Sequence, residues 1–450
     1  MSQRILVLNI VGLNKTLLES GYMPNLKNWA SKNSCKTINS AFPAVTCTAQ
    51  ANMLTGCHPS EHGAVANGWY FKDLSEVWLW RQSCHLIKTP KPNIFERWKK
   101  KYPDSSVHQL FWWWNLPSFA DFSITPRPTY FSDGRKEPDI HCWPPKLHDK
   151  LSRQLGTFPL FEFWGPAANI NSTQWIIDAT IQQLNDYEDG LFLSYLPHLD
   201  YDLQRFGPKS KEAETACLEL DKRLKPLLDK EKNIVILSEY GIEEVNDNIA
   251  PNQILNKAGF LSIHHAKNGS LLDPGNSKAF AVCDHQVAHI YIKNSNDTTA
   301  IFDLFKDLPQ VDSISLKKDL PNLNHSRAGD LILTANKGCW FNYYYWLEAQ
   351  PKPDFARCVD IHRKPGFDPC ELFIDPSIRA PKIKIASKVL AKKIGMRYLM
   401  DVIPIDPSLV KGSHGRVFKD KAKCPIIIAP EELMPTGEAV ESTQVFENIC

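Results

Sequence analysis

The 450-residue sequence lacks a strong charge of either sign: 52 lysines and arginines stand against 50 aspartates and glutamates, a formal net charge of +2. No broad basic field directs the chain to nucleic acid or to an anionic membrane surface, so any phosphate site must be local. Long apolar runs are missing as well. The opening stretch Met1 to Gly12 has a short apolar run but no small-residue cleavage site after it. It reads as a buried first strand rather than a signal peptide, and no later run is long enough to span a bilayer. The twelve cysteines show no C-x-x-C pairing. That spacing speaks against a zinc knuckle and for reduced, buried thiols in a cytoplasmic protein. Internal repeats and low-complexity tracts are absent too.

With 43% apolar side chains the chain can bury a large core, and one α/β domain with insertions is the simplest arrangement. Ile5 to Val11, Leu191 to Leu196 and Asn233 to Leu237 are short, apolar, rich in branched residues and stopped by turn residues, the pattern of buried parallel strands. Ser172 to Leu184 and Ser210 to Lys230 read as amphipathic helices, the second with Leu218, Leu220, Leu224 and Leu227 on its apolar face. Strand, helix and strand in alternation imply a parallel sheet with right-handed crossovers and ligands at the carboxyl ends of its strands. Residues 69–167 are rich in tryptophan and proline, with Phe111-Trp112-Trp113-Trp114 at their centre, and are expected to form a lid. The tryptophans serve either packing or, at Trp113, substrate binding. Proline rises again in residues 307–409, expected as a second cap, which leaves residues 1–68, 168–306 and 410–450 as the core.

Four segments put polar residues directly after predicted strands: Asn9 to Gly12, His198 to Gln204, Ser238-Glu239-Tyr240-Gly241 and Gly412-Ser413-His414-Gly415. A fifth, Phe42-Pro43-Ala44-Val45-Thr46, offers a hydroxyl ahead of a helical stretch. Thr46 suits a helix N-cap, and it also suits a nucleophile, because a helix N-terminus presents amide donors and a favourable dipole to a phosphate.

These segments resemble the alkaline phosphatase superfamily, in its type I phosphodiesterase and nucleotide pyrophosphatase branch. The matching residues are Phe42-Pro43, Thr46, Thr55-Gly56, Pro59, His62-Gly63, Asp200, Gly207-Pro208, Ser238, Gly241 and His414-Gly415, with Arg327-Ala328-Gly329-Asp330 also similar. The resemblance implies an α/β/α sandwich with a mostly parallel central sheet and inserted cap regions. It also implies hydrolysis of a phosphate monoester or diester of a small molecule, with Thr46 as the nucleophile, assisted by divalent metal. One ion, zinc in the family, would lie at Asp200, Gln204 and His414; a second would lie at Val11, Thr46, Glu239 and Tyr240.

Several of these positions depart from the family's ligands, since Val11, Gln204 and Tyr240 replace aspartate or histidine. An amide and a phenol are poor zinc donors, and the oxygen-rich remainder of Asp200, Gln204 and Glu239 suits magnesium or manganese better, or leaves one or both sites empty. Asn9, His198, Asp202, His285 and His289 are nearby substitutes, and Gln50 stands in for a phosphate-binding asparagine. A phosphoryl mutase or phosphonate hydrolase is a further option within the superfamily. Outside it in function stands a binding protein on the same fold that holds a phosphorylated or lipid-like metabolite.

Overall fold

The computed structural model describes residues 3–133, 135–396 and 398–450. In chain order, β1 (Arg4–Ile10), β2 (Ser34–Asn39), β3 (Ser106–Leu110), β4 (Phe122–Pro126), β5 (Ile140–Trp143), β6 (Gly190–Leu196) and β7 (Ile234–Leu237) enter a central sheet. β8 (Ala279–Asp284), β9 (Val287–Ile292), β10 (Val311–Leu316) and β11 (Leu331–Ala335) form a separate antiparallel sheet ordered β8-β9-β11-β10. β12 (Ile426–Ala429) and β13 (Ala439–Glu441) return to the first, whose order is β13-β2-β12-β7-β1-β6-β3-β4-β5.

The middle of that sheet is parallel, with β1 between β6 and β7, β3 beyond β6 and β4 beyond β3. Antiparallel pairs occur only toward its flanks, at β12 and β5. β6 and β7 are buried along their whole length, as the unbroken apolar runs LFL and IVIL require of strands covered on both faces. In register, Asn9 lies opposite Tyr195 of β6 and Leu237 of β7. The carboxyl ends of the three strands therefore finish at one level, and the segments that follow them emerge side by side.

The helices used below are α1 (Thr46–Thr55), α2 (Ile170–Asp186), α3 (His198–Phe206), α4 (Lys211–Lys230) and α5 (Pro381–Lys393). α4 is capped by the Ser210 side chain, which accepts from the Ala213 amide, and it buries Leu220, Leu224 and Leu227. Full burial of each such side chain contributes about 1.5–3 kcal/mol. Leu218, expected on the same face, is exposed, because it lies two positions before Leu220 and so points elsewhere on the helix.

The stretch 69–167, expected as a lid, contributes β3, β4 and β5 to the central sheet, so it extends the core as well as covering it. The short runs SVHQL and FSITP mix polar and apolar residues and so conceal strands that are largely buried. The antiparallel sheet likewise crosses the expected boundary at residue 307, taking two strands from each side. All twelve cysteines are free thiols, most of them buried. Among the described residues no helix is long and apolar enough to cross a membrane.

Candidate active site

Thr46 is the first residue of α1, with Val45 as the N-cap, so its hydroxyl does not cap the helix as expected. It faces Tyr240 instead, with Thr46 Oγ1 3.0 Å from the Tyr240 hydroxyl. Tyr240 in turn donates to Asp200 Oδ1 at 3.4 Å. Asp200 and Gln204 stand four residues apart on α3 and so share a face, which lets Gln204 Nε2 donate to Asp200 Oδ2 at 2.7 Å. Four groups from α1, α3 and the turn after β7 thus make one buried chain: Thr46, Tyr240, Asp200 and Gln204.

Glu239 lies alongside. Its Oε1 accepts from Asn9 Nδ2 at 2.6 Å and from Gln50 Nε2, while Gln50 Oε1 accepts from the Trp113 amide at 2.6 Å. The oxygen and one N–H of the Gln50 amide are therefore engaged by protein, which leaves its second N–H for the phosphate role expected of it. Trp113 is committed to packing, with its indole N–H donating to Arg81 O at 3.0 Å.

His414 is held by the loop after the short strand Gly412–Ser413, with Nδ1 2.8 Å from Ala44 O. Gly412 permits this approach, since a Cβ there would fall 2.0 Å from the Leu203 carbonyl oxygen of α3. The His414 ring stacks on Tyr240 at 3.6 Å and meets His285 at 3.7 Å, and His285 stacks on Phe367 at 3.7 Å. His285 sits in the turn between β8 and β9 with a φ of +58°, where a glycine would be unstrained. Its Nδ1 pairs with Asp284 Oδ1 at 2.7 Å, and Asp284 accepts from the Asn67 amide (2.7 Å) and side chain (3.0 Å). Asn67 Oδ1 closes the circuit by accepting from the Cys47 amide of α1 at 2.9 Å.

Burial dominates the electrostatics. It pushes the Asp200 carboxyl up to about 7, against the hydrogen bonds from Gln204 and Tyr240. It pushes Glu239 up to about 8, against hydrogen bonds from Gln50 and Asn9. The Tyr240 phenol is raised well above its usual value, and the His285 and His414 imidazoles are lowered well below theirs, all chiefly by loss of water. Asn9 Oδ1, Gln204 Oε1, Glu239 Oε2 and His285 Nε2 are buried without a hydrogen-bond partner. These four atoms, all within one network, leave hydrogen-bonding capacity that the surrounding side chains do not fill.

The donor set does not fit a pair of zinc ions. Val11 is a buried aliphatic side chain, Tyr240 holds its proton and bridges Thr46 to Asp200, and Gln204 would offer only a neutral amide oxygen, a poor zinc donor. Among the described residues no group of three or more histidines, cysteines, aspartates or glutamates is arranged to hold a metal ion. The proposed substitutes do not restore the sites. His198 meets Glu219 of α4 at 3.3 Å, Asp202 pairs with Arg205 at 2.6 Å, and His289 Nδ1 accepts from the Gly329 amide at 3.1 Å. Asn9 is tied through Nδ2 to Glu239, and His285 through Nδ1 to Asp284.

The contributors missed from sequence, Asn67 and Phe367, come from loops without periodicity; Phe367 directly follows Pro365-Gly366, a pair typical of turns. A separate cavity of about 360 Å³, lined by Leu54, Thr55, Ile87, Phe95, Trp114 and Phe119 among others, lies at the far end of α1 from Thr46.

Residues 5–368 match the family described as Type I phosphodiesterase / nucleotide pyrophosphatase. The chain is 22% identical over 257 residues to an uncharacterised pyrophosphatase/phosphodiesterase of Schizosaccharomyces pombe, covering 54% of this chain and 46% of that protein. It thus spans about half the length of this curated relative. Among solved structures, murine ectonucleotide pyrophosphatase/phosphodiesterase 5 superposes with a TM-score of 0.58 at 13% identity, covering 100% of this chain and 94% of the other. An inactive threonine-to-alanine variant of the murine protein in complex with AMP superposes at 0.57 and 14% identity, with the same coverage. Phosphonoacetate hydrolase from Sinorhizobium meliloti 1021, in complex with phosphonoacetate, gives 0.63 at 14% identity, covering 99% and 94%. At these identities the structural likeness establishes the fold alone.

Proposed function

The chain belongs to the type I phosphodiesterase/nucleotide pyrophosphatase family, phosphoric ester hydrolases of the alkaline phosphatase superfamily, and on that premise we propose that it hydrolyses a phosphate monoester or diester with Thr46 as its nucleophile. The observation that carries this reading is the link from Thr46 Oγ1 through the Tyr240 hydroxyl, 3.0 Å away, to Asp200 Oδ1, 3.4 Å further on. As Oγ1 forms its bond to phosphorus and the bond from phosphorus to the leaving oxygen breaks, the threonine proton passes to Tyr240. The tyrosine proton passes to Asp200, and the leaving oxygen takes a proton from water. In the second step water attacks phosphorus, the bond to Oγ1 breaks, a water proton is released, and the relay returns the stored proton to Thr46.

The N-terminus of α1 favours the negative phosphoryl group, as helix N-termini do for anions. Trp80 and Trp164, at 6.0 and 5.6 Å from the Phe367 ring, give the site an aromatic border suited to a phosphorylated small molecule with a planar or apolar portion. The AMP bound by the murine protein is of that kind, and its inactive threonine-to-alanine variant parallels the role given to Thr46.

Hydrolysis of nitrophenyl phosphate and bis(nitrophenyl) phosphate, measured beside the metal content of the same preparation, tests this. Thr46→Ala is expected to lose at least about a thousandfold in kcat, with the fold intact, while Thr46→Ser keeps measurable turnover. Wild-type rates in Thr46→Ala would remove the nucleophile. Thermal stabilisation by phosphorylated compounds without any turnover would favour a binding protein instead.

A further inference from the structure

Residues 376–400 hold seven basic side chains, at Arg379, Lys382, Lys384, Lys388, Lys392, Lys393 and Arg397, and no acid, in a chain whose net charge is only +2. α5 occupies the middle of this segment. Its inner side is settled: Ile385 packs against a buried cluster that includes Val245, Trp340 and Val402, and Lys384 and Lys388 pair with Asp401 at 2.9 and 3.3 Å. Its outer side is apolar. Ile383, Leu390 and Ile394 recur at i, i+7 and i+11, one face of a helix, and are 72%, 59% and 64% exposed. Met396, Tyr398 and Leu399 continue the exposed apolar surface beyond the helix, and Lys382 and Lys393 are exposed beside it. Among the described residues, seven of the nineteen exposed large apolar side chains fall within residues 383–399, a patch rather than scatter.

We propose that this face docks the protein on an anionic lipid surface, with α5 lying in the interface. An apolar stripe with lysines at its margins, followed by an interfacial tyrosine, matches the chemistry of acyl chains below negatively charged headgroups. At thirteen residues α5 is about 20 Å long, too short to span the hydrocarbon core, so it lies in the plane. A second copy of the chain is a poor occupant, since pairing this face with itself would oppose two strongly positive segments. The docking is independent of the hydrolytic reading.

Co-sedimentation of the full chain with phosphatidylcholine vesicles, with and without phosphatidylserine, tests it. Retention on the phosphatidylserine vesicles is expected, weakened by salt and at least about tenfold weaker on phosphatidylcholine alone. The triple variant Ile383→Ser, Leu390→Ser, Ile394→Ser is expected to lose retention, and Lys382→Gln with Lys393→Gln to weaken it about thirtyfold. All of these side chains are exposed, so thermal midpoints and phosphoester hydrolysis should match wild type. Equal binding to both vesicle types, no binding to either, or retention unchanged in the triple variant overturns the proposal. So does loss of a dimer, or of a purified acidic protein partner, from the triple variant when vesicles are not bound.

Discussion

Tyr240 occupies a position where the family resemblance implies histidine, and the substitution changes what the neighbouring atoms can do. An imidazole would offer a lone pair to a metal; the phenol, its proton held firmly by burial, offers a donor and an acceptor on one oxygen. That is the property a relay between Thr46 and Asp200 needs. Tyr240→Phe removes only the oxygen and retains the ring that stacks on His414. The expected result is a fall in kcat of about a hundred- to ten-thousandfold, the usual worth of a general-base path, with little change in KM. An unchanged kcat would show that Thr46 loses its proton by another route. At this scale Thr46, Asp200, Gln204, Glu239, Tyr240 and His414 were legible because each follows a strand end or opens a helix in the family's order. The contact of Tyr240 with both Thr46 and Asp200 was not, because it is made by packing between segments distant in the chain.

Elements carry these residues to one place, and they were legible in proportion to their periodicity. β1, β6 and β7 agree with the expected strands to within a residue or so, and α2 and α4 to within a turn, because unbroken branched runs and 3.6-residue periods have few other readings. β3 to β5 were concealed by their mixed composition and by the surrounding tryptophans and prolines. The loop that brings Phe367 onto His285 has no period at all. Its position is set by Lys364, fully buried between Asp368 at 2.7 Å and Glu371 at 2.6 Å, with Trp164 donating to the other oxygen of Glu371 at 2.7 Å. Lys364→Met would leave two buried carboxylates without their cation. The expected cost is about 3–5 kcal/mol, read as a lower urea midpoint, together with loss of hydrolysis as Phe367 leaves the ring stack. Full stability in this variant would mean that the loop is held by its apolar contacts instead.

Across the whole molecule the near balance of charge conceals strong local differences, with a site of neutral imidazoles and raised carboxyls at one place and the basic surface of α5 at another. Burial of histidine far from the site has a consequence for the entire fold. His62 Nδ1 accepts from the Ala64 amide while its Nε2 meets Asn52 Oδ1 at 2.8 Å, so the ring is held neutral with its proton on Nε2. His108 lies between the rings of Phe122 and Phe192 at 4.6 and 4.2 Å, bonded to Gln183 and Ser106. Burial lowers both from the ordinary 6.5 to about 3. Below pH 6.5 the unfolded chain therefore binds protons that the folded chain refuses. Their contribution to stability is fully present above pH 6.5 and is lost progressively as pH falls toward 3. The urea midpoint is expected to drop between pH 7.5 and pH 4.5 by an amount worth about a few kcal/mol, and His108→Phe should make that dependence shallower while lowering the midpoint at pH 7.5. A pH dependence unchanged in His108→Phe would mean that the ring takes up its proton inside the fold, with the stack and both hydrogen bonds adjusting around an imidazolium.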